Sequence, residues 1–406
     1  MQAEKPRVLV LNQYYRPGVE ATANLLADLC ESLTDDFEVT VVTGRLNGQP
    51  DLPADEMLDG VRVLRTRSSA FDRTRMHLRA TNYATYLVDS IVRALKLERP
   101  AVVLTLTDPP MIGDVGLIVA RRFGVPLVVV CEDVFPEVAV ELGRLENPVI
   151  IRLLRVMVNS YLRRADRVVT IGETMRERVE AKGARPGRVR VIENWIDTSR
   201  LLPAPRENEW ARAHGLDGRF VVMHSGNVGH AHDLPTLVRA ATFLRDLDDL
   251  SIVIVGFGAM RHETQAIAKR LEVDCVRFVP YQPRTMLSES LSSADLHFVG
   301  LAKGLSGYVV PSRVYGIMAV GRPMLASADE DSETVRIVRD HQVGIVVPPG
   351  RPDLVAQAIR AAREGQLPLD EMGRNGRAYV EQYADRRIAL RRYRELLDEV
   401  VSSSAR

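Results

Sequence analysis

The sequence predicts an α/β chain of two Rossmann-like parallel-sheet domains facing a central cleft. Three observations carry that expectation. Short strand-like runs alternate with longer helical patterns along the whole chain. Several runs, such as PLVVVC (126–131) and SIVIVG (251–256), are apolar throughout, as strands covered on both faces must be. Each half also opens alike, with a strand, a glycine-bearing turn and a helix: RVLVLNQYYRPGVEATANLLADL near the start and FVVMHSGNVGHAHDLPTLVRAA from residue 220.

The length of 406 residues suits two domains of roughly 200 residues rather than one core. In the first half the strand candidates are residues 7–12, 38–43, 61–66, 101–106, 126–131, 167–171 and 189–192. In the second half they are 220–225, 251–256, 275–279, 294–301, 323–327 and 343–347. Strand, helix, strand repetition implies right-handed crossovers, with ligands at the carboxyl ends of the strands. A proline-bearing polar stretch, WIDTSRLLPAPRENE (195–209), marks the boundary. The expected domains are 1–197 and 198–385, followed by a charged amphipathic helix within 386–406.

Hydrophobic residues make up 46% of the chain, enough for a sizeable core, and a formal net charge of +1 gives no reason to expect a nucleic-acid partner. The three cysteines, Cys30, Cys131 and Cys275, have no metal-ligand spacing, so a reducing, cytoplasmic setting is expected. MQAEKP leads straight into a strand-like run, which speaks against a signal peptide. No apolar run reaches the roughly 18–20 residues of a membrane span.

The stretch GLSGYVVPSRVYGIMAVGRP (304–323) is the most informative. If Pro311 opens a helix, the amides of Ser312, Arg313 and Val314 stand unpaired at its positive end. Arg313 adds a full charge, and Lys303 is near enough in sequence to reach the same anion. Gly304 and Gly307 let the backbone approach a ligand closely. Together these residues suit a diphosphate. An ordinary capped helix would give the same local pattern. HSGNVG (224–229) and VGFGAM (255–260) are further strand–turn–helix junctions. Neither matches a dinucleotide fingerprint, but both suit phosphate and sugar contacts at strand ends.

The ordered set GNVG, VGFG, VPYQP, ADLHFVGL, VPSRVYGIMAVGRP, VGIVVPPGRPD and MGRNGRAYVEQY resembles the nucleotide-sugar glycosyltransferases of group 1 (family 4), which have the GT-B fold. YYRPG (14–18), EDVFPEVAVELG (132–143), ADRVVTIGETMRERV (165–179) and VIENWID (191–197) fit the same family, so the resemblance spans nearly the whole chain. It is nearest to the fucosamine-type transferases of O-antigen and capsule assembly. The resemblance implies retaining sugar transfer from a nucleoside diphosphate donor, with UDP the expected carrier, to a glycan or a polyprenyl-diphosphate-linked acceptor. It implies no metal and no other cofactor. It also implies donor binding by the second domain, acceptor binding by the first, and a final helix that crosses back. A common pair of family glutamates falls here on Tyr308 and Gly316. Glu333 is the candidate to replace one of them, and Asn227 stands where many members have an arginine.

The catalytic candidates are therefore Asp133, Lys303 and Arg313, which together would stabilise the leaving diphosphate and position the acceptor. The donor-binding candidates are Gly18, Gly226, Asn227, Gly256, Tyr281, Gly307, Tyr308, Ser312 and Glu333. Asp133 would serve equally as a helix cap, Gly18 as a connecting turn and Tyr281 as a surface aromatic. His230 and His232 lack the further ligands a metal needs. Residues 61–99 carry nine basic side chains against three acidic ones, a net charge of +6. Arg152, Arg155, Asn159 and Arg163 form one helical stripe. These features suit either an anionic membrane surface or a packed helix with a solvated face. Two other functions remain open: a sugar-nucleotide 2-epimerase of the same architecture, and a nucleotide-binding partner without catalysis.

Overall fold

The computed structural model describes residues 5–18, 21–46, 49, 51–69, 71 and 76–404. The chain divides into two compact units, one running to Glu193 and resuming at Ala389, the other covering Asn194–Ile388.

The first unit is built on β1 (Arg7–Leu11), β2 (Glu38–Thr43), β3 (Asp55–Leu58), β4 (Val61–Arg65), β5 (Val102–Thr105), β6 (Leu127–Cys131), β7 (Arg167–Thr170) and β8 (Val189–Val191). Their order is β3-β4-β2-β1-β5-β6-β7-β8. All pairs are parallel except β3 with β4. The central strands β5 and β6 are buried at every position, which matches their unbroken apolar sequence.

The second unit contains β9 (Phe220–Ser225), β10 (Leu250–Val255), β11 (Val276–Val279), β12 (Leu296–Gly300), β13 (Met324–Ser327) and β14 (Gly344–Val347). Their order is β11-β10-β9-β12-β13-β14, all parallel. Helices cover both faces of this sheet. One core joins Leu237, Ile252 and Ile359, and the other joins Val314, Ile317, Val338 and Val380. Each such buried aliphatic side chain contributes roughly 1.5–3 kcal/mol.

Every strand-like run named from the sequence overlaps one observed strand, β10 beginning one residue earlier than expected. The strand that sequence reading missed is β3. Its residues, DEML, mix two acids with two apolar side chains and alternate in exposure, because an edge strand pairs on one side only and needs no continuous apolar pattern.

The expected boundary stretch is tied into the second unit. Arg206 pairs with Asp295 at 3.0 Å, and Asp295 also accepts from the Val221 amide at 2.7 Å. Arg377 donates to the carbonyls of Thr198 (2.9 Å), Leu201 (2.9 Å) and Ala319 (2.6 Å). The last helix runs Arg386–Ser404 and buries Tyr393, Leu396, Leu397 and Val400. Its Arg394 donates to the Ser32 carbonyl at 2.9 Å.

Each sheet reverses its winding once, between β1 and β5 in the first unit and between β9 and β12 in the second. Crevices outside the carboxyl ends of strands at such reversals are where ligands bind in open α/β sheets. The helix after β12, Arg313–Ala319, is closed by Gly321 at φ 66°. The Gly321 amide donates to Met318 and the Arg322 amide to Ile317, the paired bonds of a Schellman ending. Gly373 packs against this ending so closely that a Cβ would lie 2.1 Å from the Gly321 carbonyl oxygen. The position of the short helix is therefore set at its far end.

Candidate active site

The second unit's reversal gathers three chain segments: the turn after β9, the turn after β10, and the loop from β12 into the Arg313 helix. The first two turns stack on each other. The Gly226 amide donates to Val255, the Val228 amide to Phe257 and the Met260 amide to Val228. Gly256 has φ 131°, and a Cβ on it would lie 1.9 Å from the Gly226 carbonyl oxygen. Only glycine fits there.

Arg313 reaches back over the β9 turn. One terminal nitrogen lies 2.7 Å from His224 Nδ1 and 2.6 Å from Nε2, and the other donates to the Asn227 carbonyl at 3.3 Å. His224 Nε2 also lies 3.3 Å from that carbonyl. Both ring nitrogens thus face one guanidinium nitrogen, and Nε2 also faces the Asn227 carbonyl. His224 is fully buried, and burial first, then the Arg313 charge, holds it well below the usual imidazole range. His232 stands beside it, with ring centroids 6.0 Å apart, and is lowered for the same two reasons. Burial draws Arg313 down to about 10, so it remains a cation at neutral pH. Among the described residues no carboxylate pairs with it. The site thus holds a half-buried positive charge against neutral partners, an arrangement that an incoming anion would complete.

The start of the helix differs from expectation. Pro311 precedes it, and the first helical residue is Arg313. The Val314 amide bonds the Pro311 carbonyl at 3.3 Å and the Tyr315 amide bonds Ser312 at 3.3 Å, so Val314 offers no unpaired donor. Ser312 is exposed and its hydroxyl caps nothing. With only seven residues in this helix, Arg313 itself supplies the main local charge rather than the helix dipole.

The other expected residues fall as follows. Lys303 is exposed in the loop after β12. Gly304 and Gly307 have φ 85° and 72°, and the Gly304 amide donates to Asp329 at 2.7 Å, which fixes that loop. Tyr308 follows in the same loop, half-buried. Asn227 contributes its main-chain carbonyl. Tyr281 is 53% exposed beside Phe257, ring centroids 6.0 Å apart, next to the two glycine turns. Glu333 is buried at a helix start and ion-paired with Arg336, so contact with a sugar would require that pair to open. A side chain at Gly316 would begin against Leu291 and Leu201. Gly18 and Asp133 belong to the first unit. The Gly18 amide closes a turn onto Tyr15 at 2.9 Å after β1, and Asp133 is exposed after β6. His224 and Asp329 are the contributors that sequence reading passed over. A histidine ending a buried strand and an aspartate after β13 are weak signals until the loops are folded.

The descriptions of known families fit this geometry. Residues 18–195 match the glycosyl transferase 4-like domain, and residues 206–379 match the glycosyl transferases group 1 family. The chain belongs to the group 1 glycosyltransferases. It is 28% identical over 326 residues to "Probable glycosyltransferase WbjE" of Pseudomonas aeruginosa, covering 78% of each chain. It is 27% identical to a GDP-mannose-dependent alpha-mannosyltransferase of Mycobacterium tuberculosis, covering 87% of this chain and 88% of that one. Among solved structures it superposes on Anabaena HepE in complex with UDP with a TM-score of 0.73 at 16% identity, covering 97% of this chain and 100% of the other. That likeness supports the GT-B fold of this glycosyltransferase.

The buried histidines make a pH prediction. His224, His232 and His297 are all lowered chiefly by burial, His297 to about 4. An unfolded imidazole titrates near 6.5, so the unfolded chain takes up these protons first. Stability should fall as pH drops below about 6.5 and go on falling until the folded-state values are reached, by up to about 1.4 kcal/mol per pH unit for each group. Urea unfolding at pH 7.5 and 5.5 should show this loss, and a smaller one in His224→Gln. Equal losses in both proteins would contradict a neutral His224.

Proposed function

We propose that this glycosyltransferase is a retaining, metal-independent enzyme that moves a sugar from a nucleoside diphosphate donor, UDP-linked, to a glycan or polyprenyl-diphosphate-linked acceptor in surface polysaccharide synthesis. The observation that carries the reading is the Arg313 guanidinium. It lies at the β9–β12 reversal, has no carboxylate partner among the described residues, and hydrogen-bonds a neutral histidine. A donor diphosphate would take the place of the missing counter-anion. As the glycosidic bond breaks, negative charge grows on the departing diphosphate, and a fixed cation in a desolvated setting lowers the energy of that state more than that of the ground state.

In this proposal Lys303 reaches the same phosphates from the loop after β12, and the Ser312 amide assists. Gly226, Gly256 and Gly307 keep the backbone low enough for the nucleotide to approach. Asn227, Tyr281 and Tyr308 border the nucleotide and sugar, while Gly18 and Asp133 act from the first, acceptor-binding unit. Glu333 holds a sugar hydroxyl only if its pair with Arg336 opens. UDP is favoured by the HepE–UDP likeness, whereas the mycobacterial relative is named for GDP-mannose.

Thermal shift with UDP-, GDP- and ADP-sugars tests the donor. A ligand at a hundred times its Kd stabilises the folded state by about 2.7 kcal/mol. The largest rise is expected with a UDP-sugar, and nuclear magnetic resonance of the product should show the donor's anomeric configuration. A preference for GDP would refute the UDP assignment, and an inverted linkage the retaining mechanism.

The same reading places the protein on the inner face of the cell membrane. No helix among the described residues is long and apolar enough to cross a membrane. The helix Pro148–Arg164 has no acidic residue, and its Val149, Leu153 and Val156 are 75%, 58% and 61% exposed beside exposed Arg152 and Arg163. Aliphatic side chains flanked by arginines suit the boundary of an anionic bilayer. Of the basic stretch 61–99, Arg73 and Arg75 lie outside the described residues. The protein should float with vesicles containing phosphatidylglycerol and be released by Leu153→Glu with Val156→Glu. No flotation with such vesicles would end the membrane assignment.

A further inference from the structure

The first unit contains a second place where arginine outnumbers its partners, and the reading above leaves it unused. A cavity of about 200 Å³ opens past the carboxyl ends of β2 and β4. Arg45 follows β2, Arg65 ends β4 and Arg67 follows it, and Arg93 comes from the helix Met76–Ala94. Four arginines therefore border one small space.

Arg65 is the informative member. Its side chain is 4% exposed. It meets Glu56 of the edge strand β3 at 2.5 Å and the Arg16 carbonyl at 3.1 Å, both through Nη2. Its Nε and Nη1 are buried with no hydrogen-bond partner. A buried guanidinium with idle donors is costly to keep unless something else engages them. The remaining acid in the cluster is Asp89. It accepts from Arg93 Nε at 2.8 Å and from the Arg67 amide at 2.7 Å. Among the described residues Glu56 and Asp89 are the acids bonded to this cluster, with Asp55 acting on Arg93 from farther off, so the arginines outnumber the acids that bond them. Arg45 and Arg67 are exposed and free to turn inward.

We propose that this cavity binds a phosphoryl group of the acceptor. The inference rests on reading the first unit as the acceptor-binding one. Guanidinium groups present flat forks of N–H donors that match phosphate oxygens, and several arginines around one space match a phosphoryl dianion better than a single carboxylate. The space takes a phosphoryl group and is too small for a nucleotide, which separates it from the Arg313 site of the other unit. The β3 strand has a reason to exist in this account: it carries Glu56, which keeps Arg65 buried and aligned while its other donors stay idle.

The chemistry fits two sources, a soluble phosphorylated glycan or a polyprenyl diphosphate headgroup, and the experiment separates them. The full chain carrying Arg313→Ala, which silences the donor side, is titrated calorimetrically with inorganic pyrophosphate. Saturable binding of one ligand per chain is expected. Adding Arg45→Gln and Arg67→Gln, both at exposed positions that spare the fold, should weaken it at least tenfold, and Arg65→Met should abolish it. With Arg313 intact, the Arg45→Gln/Arg67→Gln protein should bind UDP-sugar as the wild type does and show an acceptor KM raised at least tenfold. That rise, measured with a soluble sugar phosphate and with a polyprenyl-diphosphate sugar in micelles, identifies which source the cavity serves. No saturable pyrophosphate binding, or binding unchanged by the Arg45 and Arg67 substitutions, overturns the proposal. So does an acceptor KM unchanged for both acceptors. Failure of the donor reading would appear separately, as UDP-sugar binding that ignores Arg313.

Discussion

The second unit is organised around a positive charge without a negative partner. Arg313 leans on the neutral ring of His224 and on the Asn227 carbonyl. Neither can neutralise it. Burying His224 makes the arrangement self-consistent, because a protonated imidazole there would meet both desolvation and a neighbouring cation. The fold leaves a cation at the sheet's winding reversal in a form that an anion stabilises, without a carboxylate to be displaced first.

Much of the surrounding structure serves to hold that geometry. Gly256 can have no side chain, because the Gly226 turn lies against it. The Gly321 ending, the Gly373 contact and the Arg377 bonds anchor the far end of the Arg313 helix. Asp329 fixes the glycine loop on the other side by accepting from the Gly304 amide. Each device is ordinary; together they fix the direction of one guanidinium. The first unit uses a related arrangement at Arg65, with the difference that Glu56 already compensates part of its charge.

How much of this was legible in the sequence follows from what produces a periodic signal. Strands buried on both faces, such as β5, β6 and β10, are written as continuous apolar runs and were found. The short, half-acidic edge strand β3 was not, because its pattern is indistinguishable from a loop. Arg313 and its glycines were legible because Pro, Ser and Gly punctuate the chain sharply there. His224 was not, since a histidine's role depends on what the fold brings to it. The start of the Arg313 helix was misjudged by two residues, because proline favours a first helical position without requiring it. Glu333 looked available in sequence and is occupied in structure, which only its pairing with Arg336 reveals.

The most direct test of the central claim is calorimetric binding of a UDP-sugar to the wild type, Arg313→Ala and Arg313→Lys at low and moderate salt. If the unpaired guanidinium is the counter-charge of the donor diphosphate, binding falls by about 10- to 10²-fold in the alanine variant, as loss of a charged hydrogen bond of about 1.5–3 kcal/mol implies. The lysine variant should recover part of it, because it keeps the charge but not the fork. Equal affinity in all three proteins would contradict the account and assign Arg313 to the support of the β9 turn alone.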